Sequence, residues 1–288
     1  MPRKKLLIFT ALLLGSILFF PGSMAAPQAI LVSDNPADYA AAKAVSSAMG
    51  VPVLTTPWGR FEGEVLEKLL SLNPGEVLII GGPVAVVETY SEALGNKGVK
   101  VERIWGKDRA ETSERVTNWL IGNHRPKGDL YLVDGWDEGA ILYILENENA
   151  IILALPHHDL VNAIHERAGL VEKMTTSYGR SVYVYPTLVG EDWNSSYCPK
   201  CRVMEVDEAR AVSLSISRLR NLSREVSDEV AKKRALERAS TAQDLAARGE
   251  FERAREVLLE GFGIVYSSIL ELKPAETSSG TVNPSESP

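Results

Sequence analysis

Three groups of residues in this 288-residue chain have types and spacings that invite chemistry. They are the turn Gly106-Lys107-Asp108-Arg109-Ala110-Glu111-Thr112, the histidine-rich stretch 157–166 and the pair Cys198-Pro199-Lys200-Cys201. In the turn, Asp108 can cap a following helix, and Glu111, three residues on, can reach back to complete a capping box. Gly106 lets the backbone turn or approach a neighbour closely. Arg109 then stands at a helix start, where its charge opposes the helix dipole. A cation held against that cost calls for a counter-charge, either a carboxylate across the sheet or an anionic ligand.

His157, His158 and His165, with Asp159 and Glu166 beside them, raise the question of a hydrolytic metal. Such a site needs three ligands converging at ~2 Å, and this spacing matches no helix-borne motif of the His-Glu-x-x-His kind. Asp159 as a helix cap and solvated histidines account for the same residues. Gly81-Gly82-Pro83 lacks the spacing of a dinucleotide loop, and Gly106-Lys107 is followed by Asp where a nucleoside-triphosphate loop needs Ser or Thr. Neither Ser33 nor Ser195 sits in a Gly-x-Ser-x-Gly elbow. The sequence therefore points away from an enzyme and implies no cofactor and no metal. In an exported protein, Cys198 and Cys201 would close a local disulfide. A zinc site would need two more ligands, and a redox role would need the pair at a helix start in a thioredoxin-like unit.

The elements that must hold these groups are short β-branched runs ending in glycine and leading into helices, the pattern of βα units in a parallel sheet. Strands are expected at 29–32, 51–55, 77–80 and 99–104. Helices follow over 36–49, with Asn35 as N-cap and Gly50 as closing residue, and over 62–72, 86–94 and 109–121. The pattern then restarts about 101 positions later. Leu130-Tyr131-Leu132-Val133-Asp134 answers Ile30-Leu31-Val32-Ser33-Asp34, residues 151–156 answer 53–57, 182–186 answer 78–82, and 202–206 answer 102–106. The fold class is α/β, with tandem parallel-sheet βα repeats of Rossmann or flavodoxin-like type. A single larger sheet is the competing arrangement. Beyond residue 222, Val226, Val230, Leu236, Ala239 and Leu245 form one apolar face. Phe251, Ala254, Val257, Leu258, Val265 and Ile269 form another, giving an α-helical hairpin turning at Gly249.

The resulting division is a secretory signal at 1–25, α/β repeats at 26–124 and 125–222, the hairpin at 223–273 and a disordered tail at 274–288. Arg3-Lys4-Lys5, an apolar stretch at 6–20 and small residues before the cut predict cleavage after Ala25. Fifteen residues at ~1.5 Å each span only ~22 Å of a ~30 Å hydrocarbon core, so no stable membrane span is expected after cleavage. Losing those three cations deepens the net charge from −7 to −10, which disfavours nucleic acid and anionic membranes as partners. Asn194-Ser195-Ser196 and Asn221-Leu222-Ser223 are glycosylation triplets.

Asp38 after Asn35-Pro36-Ala37, Pro52-Val53-Leu54, Ile79-Ile80-Gly81-Gly82 and Arg103-Ile104-Trp105-Gly106-Lys107-Asp108-Arg109 with Thr112 together resemble the cell wall-binding repeat type 2 family of bacterial surface proteins. Ala110 stands where that family has an aromatic residue. The resemblance implies an exported, cell-surface, non-enzymatic protein that binds a wall or surface glycan. It implies ligand contacts at Asp38, Gly81, Gly82, Arg103, Lys107, Asp108, Arg109 and Thr112, with Arg109 needed for envelope retention but not for folding. The alternatives are a protein–protein assembly module using the hairpin, and a metal-dependent secreted hydrolase.

Overall fold

The computed structural model describes residues 26–157, 160–188, 196 and 198–271. The expected signal with its cut after Ala25, the tail at 274–288, His158, Asp159 and Asn194 lie outside them.

The first unit runs β1 (Ala29–Ser33), α1 (Pro36–Met49), β2 (Val53–Thr56), α2 (Gly63–Ser71), β3 (Glu76–Ile80), α3 (Thr89–Gly95), β4 (Lys100–Ile104) and α4 (Arg109–Asn123). The second runs β5 (Leu130–Asp134), α5 (Glu138–Leu145), β6 (Ile151–Leu155), α6 (Leu160–Glu166), α7 (Ala168–Glu172), β7 (Val182–Val184), β8 (Cys201–Val203) and α8 (Glu208–Glu225). Each makes its own four-stranded parallel sheet, in the orders β2-β1-β3-β4 and β6-β5-β7-β8. The same winding thus occurs twice, and among the described residues the two halves do not merge into one sheet. Central strands read as unbroken apolar runs because helices cover both faces. Val32 lies between Thr55 and Ile80, and Leu132 between Leu153 and Val184.

Alternation along the strands divides the first sheet's side chains. Leu31, Val77 and Ile79 meet Leu69 of α2 and Tyr90 and Leu94 of α3. Ile30, Val32, Leu78 and Ile80 meet Ala41 and Val45 of α1 and Val116 and Leu120 of α4. That second face continues without a break into the core of the second unit, through Leu130, Leu132, Leu153 and Val182. Helix α4 also seals the open edge of β6. The Ser113 hydroxyl donates to the Ile152 carbonyl at 3.1 Å and accepts from the Ala154 amide at 3.0 Å. Both are backbone groups an edge strand would otherwise leave unpaired.

Helices α9 (Glu229–Ala247) and α10 (Phe251–Glu271) form the hairpin, turning at Gly249 with φ +78°. They complete a three-helix layer with α8, in which Leu219, Ala235, Ala239, Leu258 and Val265 are buried. The apolar face expected for α9 is corrected here. Val226, Ala239 and Leu245 point inward, but Val230 is 67% exposed and Leu236 37% exposed. The buried stripe is Ala231, Ala235, Ala239, Ala242 and Leu245, because small residues let α9 lie close against its neighbours.

Two element boundaries also move. The helix expected from Val86 begins at Thr89, because Arg103 Nη1 draws the Gly81 and Val86 carbonyls into a turn at 2.9 Å each. The last strand spans three residues rather than 202–206, since Asp207 already caps α8 through the Arg210 amide. Cys198 and Cys201 are joined as a disulfide at the start of β8, with Cα atoms 5.2 Å apart and Cys198 buried in the second core. Asn221 lies exposed within α8, where Ser223 is buried and its hydroxyl donates to the Leu219 carbonyl.

Candidate functional site

The turn after β4 is a joint whose parts hold one another. Asp108 caps α4 by accepting from the Glu111 amide at 2.9 Å, as expected. Glu111 reaches back one residue further than a capping box requires, accepting from the Lys107 amide at 2.8 Å. Thr112 closes the joint: its hydroxyl accepts from the Gly106 amide and donates to the Asp108 carbonyl, both at 2.9 Å. Gly106 is obligatory there, because a Cβ would stand 2.5 Å from that of Glu111. Thr112 is 3% exposed, and the side chain of Lys107 is left exposed.

Arg109 is the residue this joint delivers. Its guanidinium crosses to the second unit, donating to the Gly135 carbonyl at 3.2 Å and pairing with Glu138 at 3.4 Å. It lies between the rings of Trp136 and Tyr266, at 5.4 and 5.2 Å from their centres. Glu138, 1% exposed, also accepts from the Tyr266 hydroxyl at 2.7 Å and faces Arg218 of α8 at 3.6 Å. Arg218 in turn holds Asp34 at 3.1 Å. Tyr266 accepts from the Asn35 amide group at 3.3 Å and packs edge-on against Trp58 at 5.3 Å. Of the two counter-charges considered for Arg109, the molecule supplies the carboxylate itself. Burial pulls the Arg109 guanidinium down, but Glu138, Tyr266 and Asp38 outweigh it and hold it above its ordinary value. Burial, with Glu138 next, pushes the Tyr266 phenol up.

Asp38 sits 5% exposed beside this network, accepting from the Ser33 hydroxyl at 3.2 Å. Burial raises its carboxyl to about 6, against the opposing pull of Arg109. Gly81 adopts φ +116°, which calls for glycine, and a Cβ there would also press against Asp38 Oδ2 at 3.3 Å. Gly82 lies under the Trp105 ring. Arg103 is spent locally, on the Gly81 and Val86 carbonyls, Glu88 and Ser91. Burial lowers its guanidinium.

Ligands of parallel sheets sit beyond the carboxyl ends of the strands, where the winding reverses direction. In the first sheet that crevice, between β1 and β3, is occupied by Asp38 and bordered by the Arg109–Glu138–Arg218 network. In the second it is open. A cleft of about 620 Å³ is lined by Asp134, Trp136, Asp137 and Glu138 after β5, His157 after β6 and Pro186 and Thr187 after β7. Its roof is α8, with Glu208 and Ser215, and α10, with Glu252, Arg255, Glu256, Leu258, Leu259 and Phe262. His157 Nδ1 is 2.5 Å from Asp134 Oδ2, and Arg255 pairs with Glu208 and, at 3.7 Å, with Asp137. Burial raises the Asp137 carboxyl, against the cap bond it accepts from Ala140.

Of the histidine cluster, His157 enters this cleft while His165 is exposed on α6. Among the described residues no three His, Cys, Asp or Glu side chains are placed to hold a metal. No described helix is long and apolar enough to cross a membrane. Sequence reasoning missed Glu138, Arg218, Tyr266, Arg255 and the cleft itself. Their partners lie 29 to 184 positions away, and the one local sign was a set of polar residues inside the apolar faces of α8 and α10.

No protein-family model matches the chain. It is 46% identical over 115 residues to the uncharacterized protein MJ0755 of Methanocaldococcus jannaschii, covering 40% of this chain and 33% of that one. To the uncharacterized protein PYRAB14350 of Pyrococcus abyssi it is 31% identical over 118 residues, covering 39% and 34%. The chain spans about a third of the length of these curated relatives. Among solved structures, Cwp6 from Clostridium difficile is similar with a TM-score of 0.43 and 19% identity, covering 65% of this chain and 31% of that one. Cwp8 from the same organism is similar with a TM-score of 0.45 and 18% identity, covering 66% and 33%.

Proposed function

We propose that this protein is an exported, non-enzymatic component of the cell envelope that binds a wall or surface glycan, and that the glycan sits in the cleft over the second sheet. The observation that carries the proposal is the open crevice itself, of ligand-binding size and at the place where parallel sheets bind ligands. Its chemistry suits a sugar chain. Carboxylates accept from hydroxyl groups, and the half-buried Trp136 and Leu259 offer apolar surface to sugar rings. The sequence resemblance supports the envelope setting. Among the loop residues first read as ligand contacts, Arg103 and Arg109 have partners within the chain, and Lys107 alone of these three cations keeps its side chain exposed.

The test is retention of the purified chain on envelope fractions stripped either of protein or of glycan. Retention on protein-stripped material and loss on glycan-depleted material is expected. The reverse pattern would overturn the glycan reading in favour of an assembly module, which the exposed Val230, Leu236 and Leu270 on the hairpin's outer side would then serve.

A further inference from the structure

We infer that the outer edge of β2 is an interface at which two copies of this chain pair, strand to strand, about a twofold axis through Leu54; the inference is independent of the cleft and of its glycan. The contrast between the two sheets carries it. In the second sheet the Ile151 amide donates to the Asp129 carbonyl and the Leu155 carbonyl accepts from the Gly135 amide, so Ile152 and Ala154 turn their backbone groups outward. Ser113 of α4 takes up two of those groups. In the first sheet the Pro52 and Thr56 carbonyls accept from the Ile30 and Asp34 amides at 2.9 Å, which turns Val53 and Thr55 outward in the same way. Among the described residues none bonds to their outward amides and carbonyls. Thr55 is exposed, and Val53 and Leu54 are half-buried.

Unpaired edges recruit further strands, and folded proteins blunt them with charge, shortness or a covering helix. Helix α4 covers β6, β4 carries Lys100, Glu102 and Arg103, and β8 has three residues with Arg202 in the middle. By contrast β2 reads Val53-Leu54-Thr55-Thr56, without a charge. Its outward residues lie symmetrically about Leu54, and that symmetry names the occupant. When two such edges run antiparallel, Val53 meets Thr55 of the second copy and Thr55 meets its Val53, so every outward amide and carbonyl finds a partner. Leu54 then faces its counterpart at the axis in a non-hydrogen-bonded pair, with Cα atoms about 4.5 Å apart, on the face where Val65 and Leu66 of α2 also pack. Pro52 and Pro57 end the pairing on both sides and admit this one register. A twofold contact of this kind closes at two copies rather than growing into a fibre.

The experiment is sedimentation equilibrium of the purified chain over a wide concentration range, beside two cysteine variants. A monomer–dimer equilibrium is expected, with hydrogen exchange of the Thr55 amide slowing as the dimer fills. Thr55→Pro removes one outward amide from each copy and should weaken association about tenfold or more. Under mild oxidation Leu54→Cys should give a covalent dimer, because its side chain meets itself at the axis. Thr55→Cys is more exposed but faces Val53, and it should give far less. A monomer at every concentration, a trimer or open polymer, or a Thr55 amide whose exchange ignores concentration would each overturn the inference. So would a dimer that Thr55→Pro leaves intact, or cross-linking of Thr55→Cys as efficient as that of Leu54→Cys. Should Thr55→Pro lower the urea midpoint, the two cysteine variants decide the question without it.

Discussion

At the carboxyl end of the first sheet, side chains from four distant parts of the chain converge: Arg109 from α4, Glu138 from α5, Arg218 from α8 and Tyr266 from α10. At the corresponding end of the second sheet the loops after β5, β6 and β7 face a cleft of about 620 Å³. Winding order is identical, so the strands do not decide which crevice stays open. What differs is where the C-terminal helices rest. They put Arg218 and Tyr266 beside the first crevice and span the second with Glu252, Arg255 and Phe262. Two copies of one scaffold thus differ in what fills the crevice, an internal joint in one and an open cleft in the other.

Four measurements would break or sharpen this contrast. The largest effect belongs to Arg109→Ala, which leaves Glu138 buried with one cation fewer. Chemical denaturation should show a loss of about 3–5 kcal/mol, against the sequence-based expectation that Arg109 is dispensable for folding. A variant as stable as the parent would mean that the first crevice is not a joint.

Asp38 comes next. Its carboxyl is raised from 3.8 when unfolded to about 6 when folded, so the folded state binds the proton more tightly. The stability it contributes is fully present below about pH 4 and is lost as pH rises through about 6. Asp38→Asn should therefore gain on the parent by about 3 kcal/mol between those limits, read as a widening difference in urea midpoints. A difference independent of pH would show that Asp38 is not the buried acid described.

Ser113→Ala should cost about 1–3 kcal/mol, by leaving the Ile152 carbonyl and Ala154 amide unpaired at the edge of β6. Faster hydrogen exchange of the Ala154 amide would locate the loss. The smallest effect on folding is expected in the open cleft, where Glu256→Gln should change stability by less than about 0.5 kcal/mol while weakening glycan retention. A destabilised Glu256 variant would mean that this carboxylate serves the scaffold.

The strands, the helix caps and the repeat were legible because each rests on neighbours in sequence. Asn35, Gly50 and Asp108 do what their local chemistry dictates, accepting the amides or taking the left-handed turn a helix end needs. The Gly106–Thr112 motif was legible as a motif, but its purpose was not. Arg109 announces that it needs a partner, and nothing near it names Glu138, which is 29 positions on, or Tyr266, which arrives from the last described helix. Val230 and Leu236 misled for the opposite reason. Apolar spacing marked them as core, whereas close packing of α9 selected the alanine stripe instead. The cleft was invisible for the same reason as the joint, since its floor comes from residues 134–187 and its roof from residues 208–262.

The seal that α4 places on β6 has a further consequence. Because the first unit's last helix terminates the second unit's sheet, neither half is a finished object. A cut in the connection between Asn123 and Leu130 should give two fragments that are poorly soluble apart and that recover native structure when mixed. Such a chain would lend itself to split-protein complementation, with Ser113 as the contact whose removal weakens reassembly.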